Sequence, residues 1–394
     1  MFSFTATPPL SLYIHIPWCV RKCPYCDFNS HTVRDSIPEQ AYVDALIADL
    51  EQDLPGVWGR VVESIFIGGG TPSLFSPQAI EHLLGAVRAR LALKPDAEIT
   101  LEANPGTVDR AHFAGLHAAG INRLSLGIQS FQDKLLEGIG RIHDRREALA
   151  AMEAAQRAGF ENINLDLMFG LPGQTMELAL ADLRTAAALQ PAHISWYELT
   201  IEPNTWFHRH PPEQPGDALL WEMQTAGQEL LAAAGDARYE VSAYAQPGSR
   251  CRHNLNYWQF GDYLGIGAGA HGKLSAAATQ TITRVAKTRH PRSYLENADR
   301  TGRIDTHTVL SPADVVLEYA MNALRLDSGF SMAGFTAATG LPATAIERPV
   351  DLGIERGLLS AADNRIRPTP DGQRHLNELL QLWMPDEVNN AETG

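Results

Sequence analysis

The 394 residues suffice for one large domain and a smaller one. With 44% hydrophobic and 20% charged residues, disorder of the whole chain is excluded. A formal net charge of −14 argues against a broad nucleic-acid or anionic-membrane footprint, so no nucleic-acid partner is expected. No run of about eighteen apolar residues is present to form a transmembrane helix, and the amino terminus MFSFTATPPL lacks the basic region of a secretory signal. The expected location is the cytoplasm, with any contact at the inner membrane peripheral. In a reducing compartment, clustered cysteines read as metal ligands rather than as disulfides.

In chain order, residues 11–16 (SLYIHI) read as a short strand entering a loop that holds three of the four cysteines, Cys19, Cys23 and Cys26, spaced C-x3-C-x2-C. Residues 38–54 read as a helix, with Val43, Leu46, Ile47 and Leu50 at i, i+3, i+4 and i+7. Residues 63–67 form a buried strand ending in Gly68-Gly69-Gly70-Thr71, and a helix follows over 78–91. Strands at 98–101 and 122–128 end at Glu102 and Gln129. An Ala-rich helix over 145–158 stops at Gly159. A strand at 162–168 carries Asp166 near its end, and 193–199 is a sixth strand.

Six strands alternating with helices imply a parallel α/β sheet, whose functional groups gather at the carboxyl ends of the strands. The cysteine loop, the glycine run, Glu102, Gln129 and Asp166 all fall on that edge, as expected for one site at the mouth of an open or partial barrel. Residues 201–305 are less regular. They hold the segment RHNLNYW (252–258) and the glycine-rich run GDYLGIGAGAHG (261–272). Residues 306–394 read as a separate small domain opening on Ser311-Pro312-Ala313-Asp314, a good helix start. Further helices near 332–339 and 343–356, a hairpin over 357–369 and a last helix to Trp383 give the order of a winged helix. Its basic residues are not concentrated on any one helix, so a docking or lid role is expected rather than DNA binding. Residues after Pro385 read as frayed.

A zinc site completed by His15, His31 or Cys251 is the simplest account of the cysteines. Such sites usually pair two C-x-x-C units, or a Cys pair with a His pair, and no second pair exists here. A cubane iron–sulfur cluster fits better, with one iron left for a small molecule. The triplet, the aromatic Tyr25 before its last cysteine, and the turn from Gly68 to Pro72 together resemble the radical S-adenosylmethionine (SAM) enzymes.

HIPWCVRKCPYCDF, GGGTPS, LEANP, LSLGIQSF, GRIHD and INLDLMFGLPGQ lie in that order. Together they resemble the oxygen-independent coproporphyrinogen III oxidase family of radical SAM proteins, over residues 11–330 and again in the tail. The resemblance implies a partial (β/α)6 radical SAM barrel with a small C-terminal winged-helix-like α+β domain. The expected division is a barrel core at 1–200, barrel completion and a haem-motif region at 201–305, and the family's C-terminal domain at 306–394. By resemblance, Cys19, Cys23 and Cys26 hold a [4Fe-4S] cluster, and Tyr13, Tyr25, Gly69, Gly70, Thr71, Glu102, Gln129, Arg141 and Asp166 contact SAM. The chemistry such a site supplies is reductive cleavage of SAM to methionine and a 5′-deoxyadenosyl radical.

Phe28 stands where the oxidases of the family carry a further cysteine, and the stretch before Tyr13 is shorter than theirs, so oxidase activity is not expected. His253-Asn254-Leu255-Asn256-Tyr257-Trp258 instead resembles the H-N-x-x-Y-W motif of a sister group of haem chaperones. That likeness implies haem as a third cofactor with His253 as its ligand, delivery of haem to respiratory haem proteins, and homodimerisation, which no residue pattern reads. Cys251 reads as buried, and His271 as a further polar group near the site. Two enzymatic readings stand beside this one: the oxidase itself, and a radical SAM enzyme acting on another tetrapyrrole.

Overall fold

The computed structural model describes residues 2–34, 36–106, 109–297 and 300–384, so the tail after Pro385 lies outside the described residues. Six strands come from the first half of the chain: β1 (Leu10–Ile16), β2 (Val61–Gly69), β3 (Ala92–Ala103), β4 (Arg123–Gln129), β5 (Asn162–Phe169) and β6 (His193–Glu198). They pair in chain order, each parallel to the next. The helices between them are α1 (Glu39–Asp53), α2 (Pro77–Arg90), α3 (Arg110–Ala119), α4 (Arg145–Arg157) and α5 (Met176–Ala188). Helices α3 and α5 lie outside the sequence expectations. Both are rich in alanine and bury narrow stripes: Phe113, Leu116 and Ala119 in α3, and Ala179, Asp182, Leu183 and Ala186 in α5.

Along each parallel strand, apolar and polar residues alternate. Leu12 and Ile14, Ile65 and Ile67, Ile99 and Leu101, Leu124 and Leu126, and Ile163 and Leu165 all join one core with the helices. Each such side chain is worth about 1.5–3 kcal/mol when fully buried. The alternate positions, among them Ser64, Glu98, Ser125, Asn164 and His193, point to the other face, since successive side chains on a strand project oppositely. Parallel strands in a sheet covered on both sides usually read as continuous apolar runs. Here the inner face is polar, because it surrounds a cavity rather than a second layer of helices.

Residues 201–305 prove more regular than expected. Helix α6 (Asp217–Ala233) precedes β7 (Ala237–Glu240) and β8 (Ala243–Ala245), which extend the sheet beyond β6. The short α7 (Arg252–Trp258) carries the H-N-x-x-Y-W segment. Strand β9 (Asp262–Ile266) then pairs parallel to β1, and β10 (His271–Ala276), β11 (Thr281–Lys287) and β12 (Ile304–Val309) continue antiparallel. The sheet order is β12-β11-β10-β9-β1-β2-β3-β4-β5-β6-β8-β7, open at both edges. At three and four residues, β8 and β7 are too short for a period to show in the sequence. The position 305/306, where the small domain was expected to begin, falls inside β12.

The C-terminal unit holds α8 (Pro312–Ala323), α9 (Met332–Thr339), α10 (Glu347–Glu355) and a hairpin of β13 (Leu359–Ala362) with β14 (Arg365–Pro368). Ser311 and Asp314 cap α8 reciprocally. Its core of Val315, Tyr319, Phe335, Ile346, Leu379 and Trp383 also takes in Phe4 and Phe260, which seats it against the barrel.

One buried ion cluster binds the added strands to the barrel. Lys287 Nζ of β11 lies 2.6 Å from both Asp49 and Asp53 of α1, and Asp49 also accepts from Tyr294 Oη at 2.7 Å. Lys287→Met removes the buried cation that Asp49 and Asp53 share. The expected loss is about 3–5 kcal/mol, read as a lower urea midpoint at unchanged slope; a loss below about 1 kcal/mol would contradict this account.

Candidate functional site

A two-residue ladder, Trp18–Cys19 against His31–Thr32, closes the base of the cysteine loop. The Phe207 N–H donates to Pro24 O and fixes its far side. Cys19 is buried and Cys23 and Cys26 are half-buried, all as free thiols on the wall of one 490 Å³ cavity. Burial raises the Cys19 thiol above its ordinary range, and the neighbouring Cys26 and Cys23 add to this, opposed by a hydrogen bond from Thr71. Among the described residues, no three His, Cys, Asp or Glu side chains converge on a single ion. Three free thiols on one cavity wall suit a cluster that takes one thiolate per iron. Cys251, considered as a fourth zinc ligand, is buried away from the loop, 3.5 Å from Glu98.

A belt of polar contacts ties the loop to the strand ends. Thr71 Oγ1 donates toward Cys19 Sγ at 3.5 Å and accepts from Asn104 Nδ2 at 2.8 Å. Asn104 Oδ1 accepts from Arg141 at 2.7 Å, and Arg141 Nη1 approaches Cys23 Sγ at 3.7 Å. The Nε of Arg141 is buried with no hydrogen-bond partner. Gly70 is required here, because a Cβ would strike the backbone of Trp18. Gly69 has φ of 118°, and a Cβ there would meet the His15 ring.

Two carboxylates face the cavity from adjacent regions of the sheet. Glu102 accepts from the Gly69 N–H at 3.0 Å. Burial, followed by the charge of Asp166, pushes its carboxyl up to about 7. Asp166 accepts from Ser125 Oγ at 2.9 Å and Asn164 Nδ2 at 2.8 Å, and burial raises it above the usual carboxylate range despite those bonds. Gln129 holds a left-handed backbone with φ of 69°, and its Oε1 accepts from Tyr197 Oη at 3.0 Å. A buried carboxylate pair, an open guanidinium nitrogen and a glycine turn suit a ligand bearing an ammonium, a carboxylate and hydroxyls, which is the donor set of SAM.

All the residues expected to contact SAM line this cavity except Tyr13. Tyr13 lies on the wall of a second, adjacent cavity of 680 Å³, with its hydroxyl 3.0 Å from His15 Nδ1. The two cavities share Phe28, Gly69 and Glu102. Phe28 is 60% exposed. Asn104, Ser125 and Tyr197 also line the first cavity and were not singled out from the sequence, although Asn104 sits within the LEANP segment. Arg325, from the loop after α8, closes the far side with Glu240 at 3.2 Å. No sequence signal marks Arg325, because the C-terminal unit is brought over the barrel only by folding.

Helix α7 stands between the two cavities. The Glu98 carboxylate accepts from the backbone N–H groups of Arg252 and His253 at 3.1 and 3.0 Å and so pins its start to β3. Asn254 and Trp258 line the first cavity and Tyr257 the second. Asn256 donates to Asp262 O at 2.8 Å and holds the turn into β9. His253 is 1% exposed and lines neither cavity. Its Nδ1 lies 3.0 Å from Ser64 Oγ and its Nε2 3.3 Å from Tyr257 Oη. Burial, and then Arg123, lower its pKa to about 3, so the ring stays neutral.

Residues 13–186 match the model of the radical SAM superfamily, and residues 310–375 match the HemN C-terminal domain. Several relatives carry the name "Heme chaperone HemW". The one from Escherichia coli (strain K12) is 49% identical over 96% of this chain and 99% of its own length, and the one from Haemophilus influenzae is 49% identical over the same shares. The solved structure of coproporphyrinogen III oxidase (HemN) from Escherichia coli aligns with a TM-score of 0.80 at 22% identity, covering 96% of this chain and 90% of that one, a likeness of fold. Among the described residues no helix is long and apolar enough to cross a membrane. The chain therefore belongs to the HemW family of radical SAM proteins.

Proposed function

We propose that the chain is a haem chaperone: it holds a [4Fe-4S] cluster on Cys19, Cys23 and Cys26, binds SAM above the strand ends, and delivers haem to respiratory haem proteins at the inner membrane surface. The observation that carries this reading is the 49% identity to HemW across 96% of the chain. The donor set of the first cavity suits SAM, with Glu102 and Asp166 toward its ammonium and hydroxyls and Arg141 toward its carboxylate. Gly69, Gly70 and Thr71 bring backbone groups close, and Tyr25 and Gln129 complete the wall. His253 enters through Tyr257, whose hydroxyl it holds on the second cavity's wall. Direct ligation of haem by His253 requires that contact and the one to Ser64 to open. Phe28, in place of a further cysteine, speaks against the oxidase reaction.

Anaerobic reconstitution is expected to give about four iron and four sulfide per chain, with Cys19→Ala or Cys23→Ala losing the cluster. The reconstituted protein should bind haem and pass it to an apo respiratory haem protein. Failure of that transfer, or formation of protoporphyrinogen from coproporphyrinogen III, counts against the reading.

Glu102 gives a pH test of the ligand-free site. Its folded-state pKa, about 7, lies above the ordinary 4.5, so the stability it contributes is full below 4.5 and is lost as pH rises through about 7. Asp166 acts in the same direction. Urea unfolding of the ligand-free protein should therefore show stability falling by about 3 kcal/mol over that window. Glu102→Gln should flatten the fall, and SAM should bind the wild-type protein more tightly above pH 7 than below it. An unchanged slope in Glu102→Gln would rule out this assignment.

A further inference from the structure

The cysteine loop has an outer face as well as a cavity face. Arg21, Cys23 and Arg141 line the first cavity, and they also line a small recess of 20 Å³ whose other walls include Val20, Gly140 and Ile142. That is room for about one water molecule, so the recess is a window rather than a ligand site. Val20 is 47% exposed and Ile142 50%, and neither lines the first cavity. The window therefore faces solvent. Of the three loop cysteines, Cys23 alone lines both spaces.

The frame of this window is closely packed. Gly140 has φ of 72°, and a Cβ there would strike the ring of Pro24, so the turn carrying Ile142 rests directly on the loop. On the other flank Pro24 O accepts from the Phe207 N–H, and the neighbouring Trp206 is 61% exposed. Single exposed apolar side chains are ordinary. Three of them on segments that abut one loop mark a contact surface.

The charge of this region is opposite to that of the molecule. Over residues 19–34, 133–146 and 204–210, eight Lys and Arg stand against four Asp and Glu, in a chain where acids outnumber bases 46 to 32. Lys22 is held by the carbonyls of Phe28 and Ser30 at 3.0 and 3.3 Å, and Arg141 by Asn104 and Gly127. Arg21, at the window itself, is exposed and makes no hydrogen bond or ion pair among the described residues. An apolar pair in a basic rim fits an acidic partner. A small patch fits a transient encounter such as that of redox partners, which bury less than about 1,200 Å².

Resting on the reading that Cys19, Cys23 and Cys26 hold a [4Fe-4S] cluster, we propose that this face docks a small acidic protein carrying a one-electron flavin or iron–sulfur centre, whose electron enters the cluster through Cys23. The carrier is oxidised by one electron and the cluster is reduced by one; no bond forms or breaks in that step. Electron transfer slows steeply with distance, so a window that reaches a cluster ligand sets the entry point. The cavity side of the loop stays free for SAM, because the carrier arrives on the other.

The test is stopped-flow reduction of the oxidised, cluster-loaded protein without SAM, with flavodoxin hydroquinone as the carrier and dithionite as a small reductant. The readouts are loss of cluster absorbance and electron paramagnetic resonance of the reduced cluster. Arg21→Glu and Ile142→Glu should each slow reduction by the carrier at least about tenfold, and salt should slow the wild-type reaction. Dithionite should reduce all three proteins at one rate, with iron and sulfide content unchanged. Each variant stands in for the other should one fail to fold. No reduction of the wild-type cluster by the carrier, or wild-type rates in both variants, would overturn the face, and so would a slowing that dithionite shares. Altered sedimentation of the protein alone in Ile142→Glu, with carrier reduction unaffected, would give the face to a second copy of the chain. Calorimetric titration of the carrier onto cluster-free Cys19→Ala protein reads docking by itself, and absence of binding there also overturns the face. Wild-type protein that takes up no cluster overturns the cluster reading instead.

Discussion

Each parallel strand presents apolar side chains to the helices and polar ones to the barrel interior, and that constraint shapes the rest of the molecule. A buried polar group without a partner costs about 1–3 kcal/mol, so the inner face must be saturated by its own members or by something bound. Much of its lower half pairs internally, although Thr100 Oγ1 and Arg123 Nε lack a hydrogen-bond partner. His193 Nδ1 meets Asn164 Oδ1 at 2.6 Å, Asn164 donates to Ser125 and Asp166, and Ser11 and Ser64 pair at 2.8 Å. The upper half does not: Glu102 keeps a raised carboxyl, and Arg141 keeps an open Nε. The strands thus carry a largely paired polar layer below and a more open one above, and the open layer is where the cysteine loop sits.

Helix α7 turns this barrel into two chambers. Seven residues long, it lacks the length to be stable alone and depends on Glu98 at its start and Asn256 at its end. Its motif residues divide their work: Asn254 and Trp258 face the first chamber, Tyr257 faces the second, and His253 braces Tyr257 from behind. The motif whose histidine the resemblance makes a haem ligand also forms, in space, a partition whose two sides line different cavities.

The parallel half of the fold was legible because strand ends coincide with unusual residues. Gly69, Glu102, Gln129 and Asp166 were each placed at a carboxyl edge by their strands alone, and the structure gathers them on one wall. The C-terminal hairpin was legible from its turn at Asp363-Asn364, both of positive φ. Strands β7 to β11 were not, because most are too short for a period to show and two of them join the sheet through partners far back in the chain, β8 on β6 and β9 on β1. The second cavity was hidden for the same reason: His271, Ala286 and Thr306 become neighbours only once three strands are in register. Tyr13, expected by resemblance to contact SAM, lies on the wall of the second cavity, which shares Glu102 with the first.

Glu102 and Gly69 belong to both chambers. A cation arriving in the first chamber draws the proton off Glu102, and the second chamber then borders a fixed negative charge. The two occupancies are therefore linked through one titrating group, and whatever factor the first imposes on the second is returned in equal measure. Whatever occupies one chamber is thus felt in the other with no moving domain, through the position of a single proton.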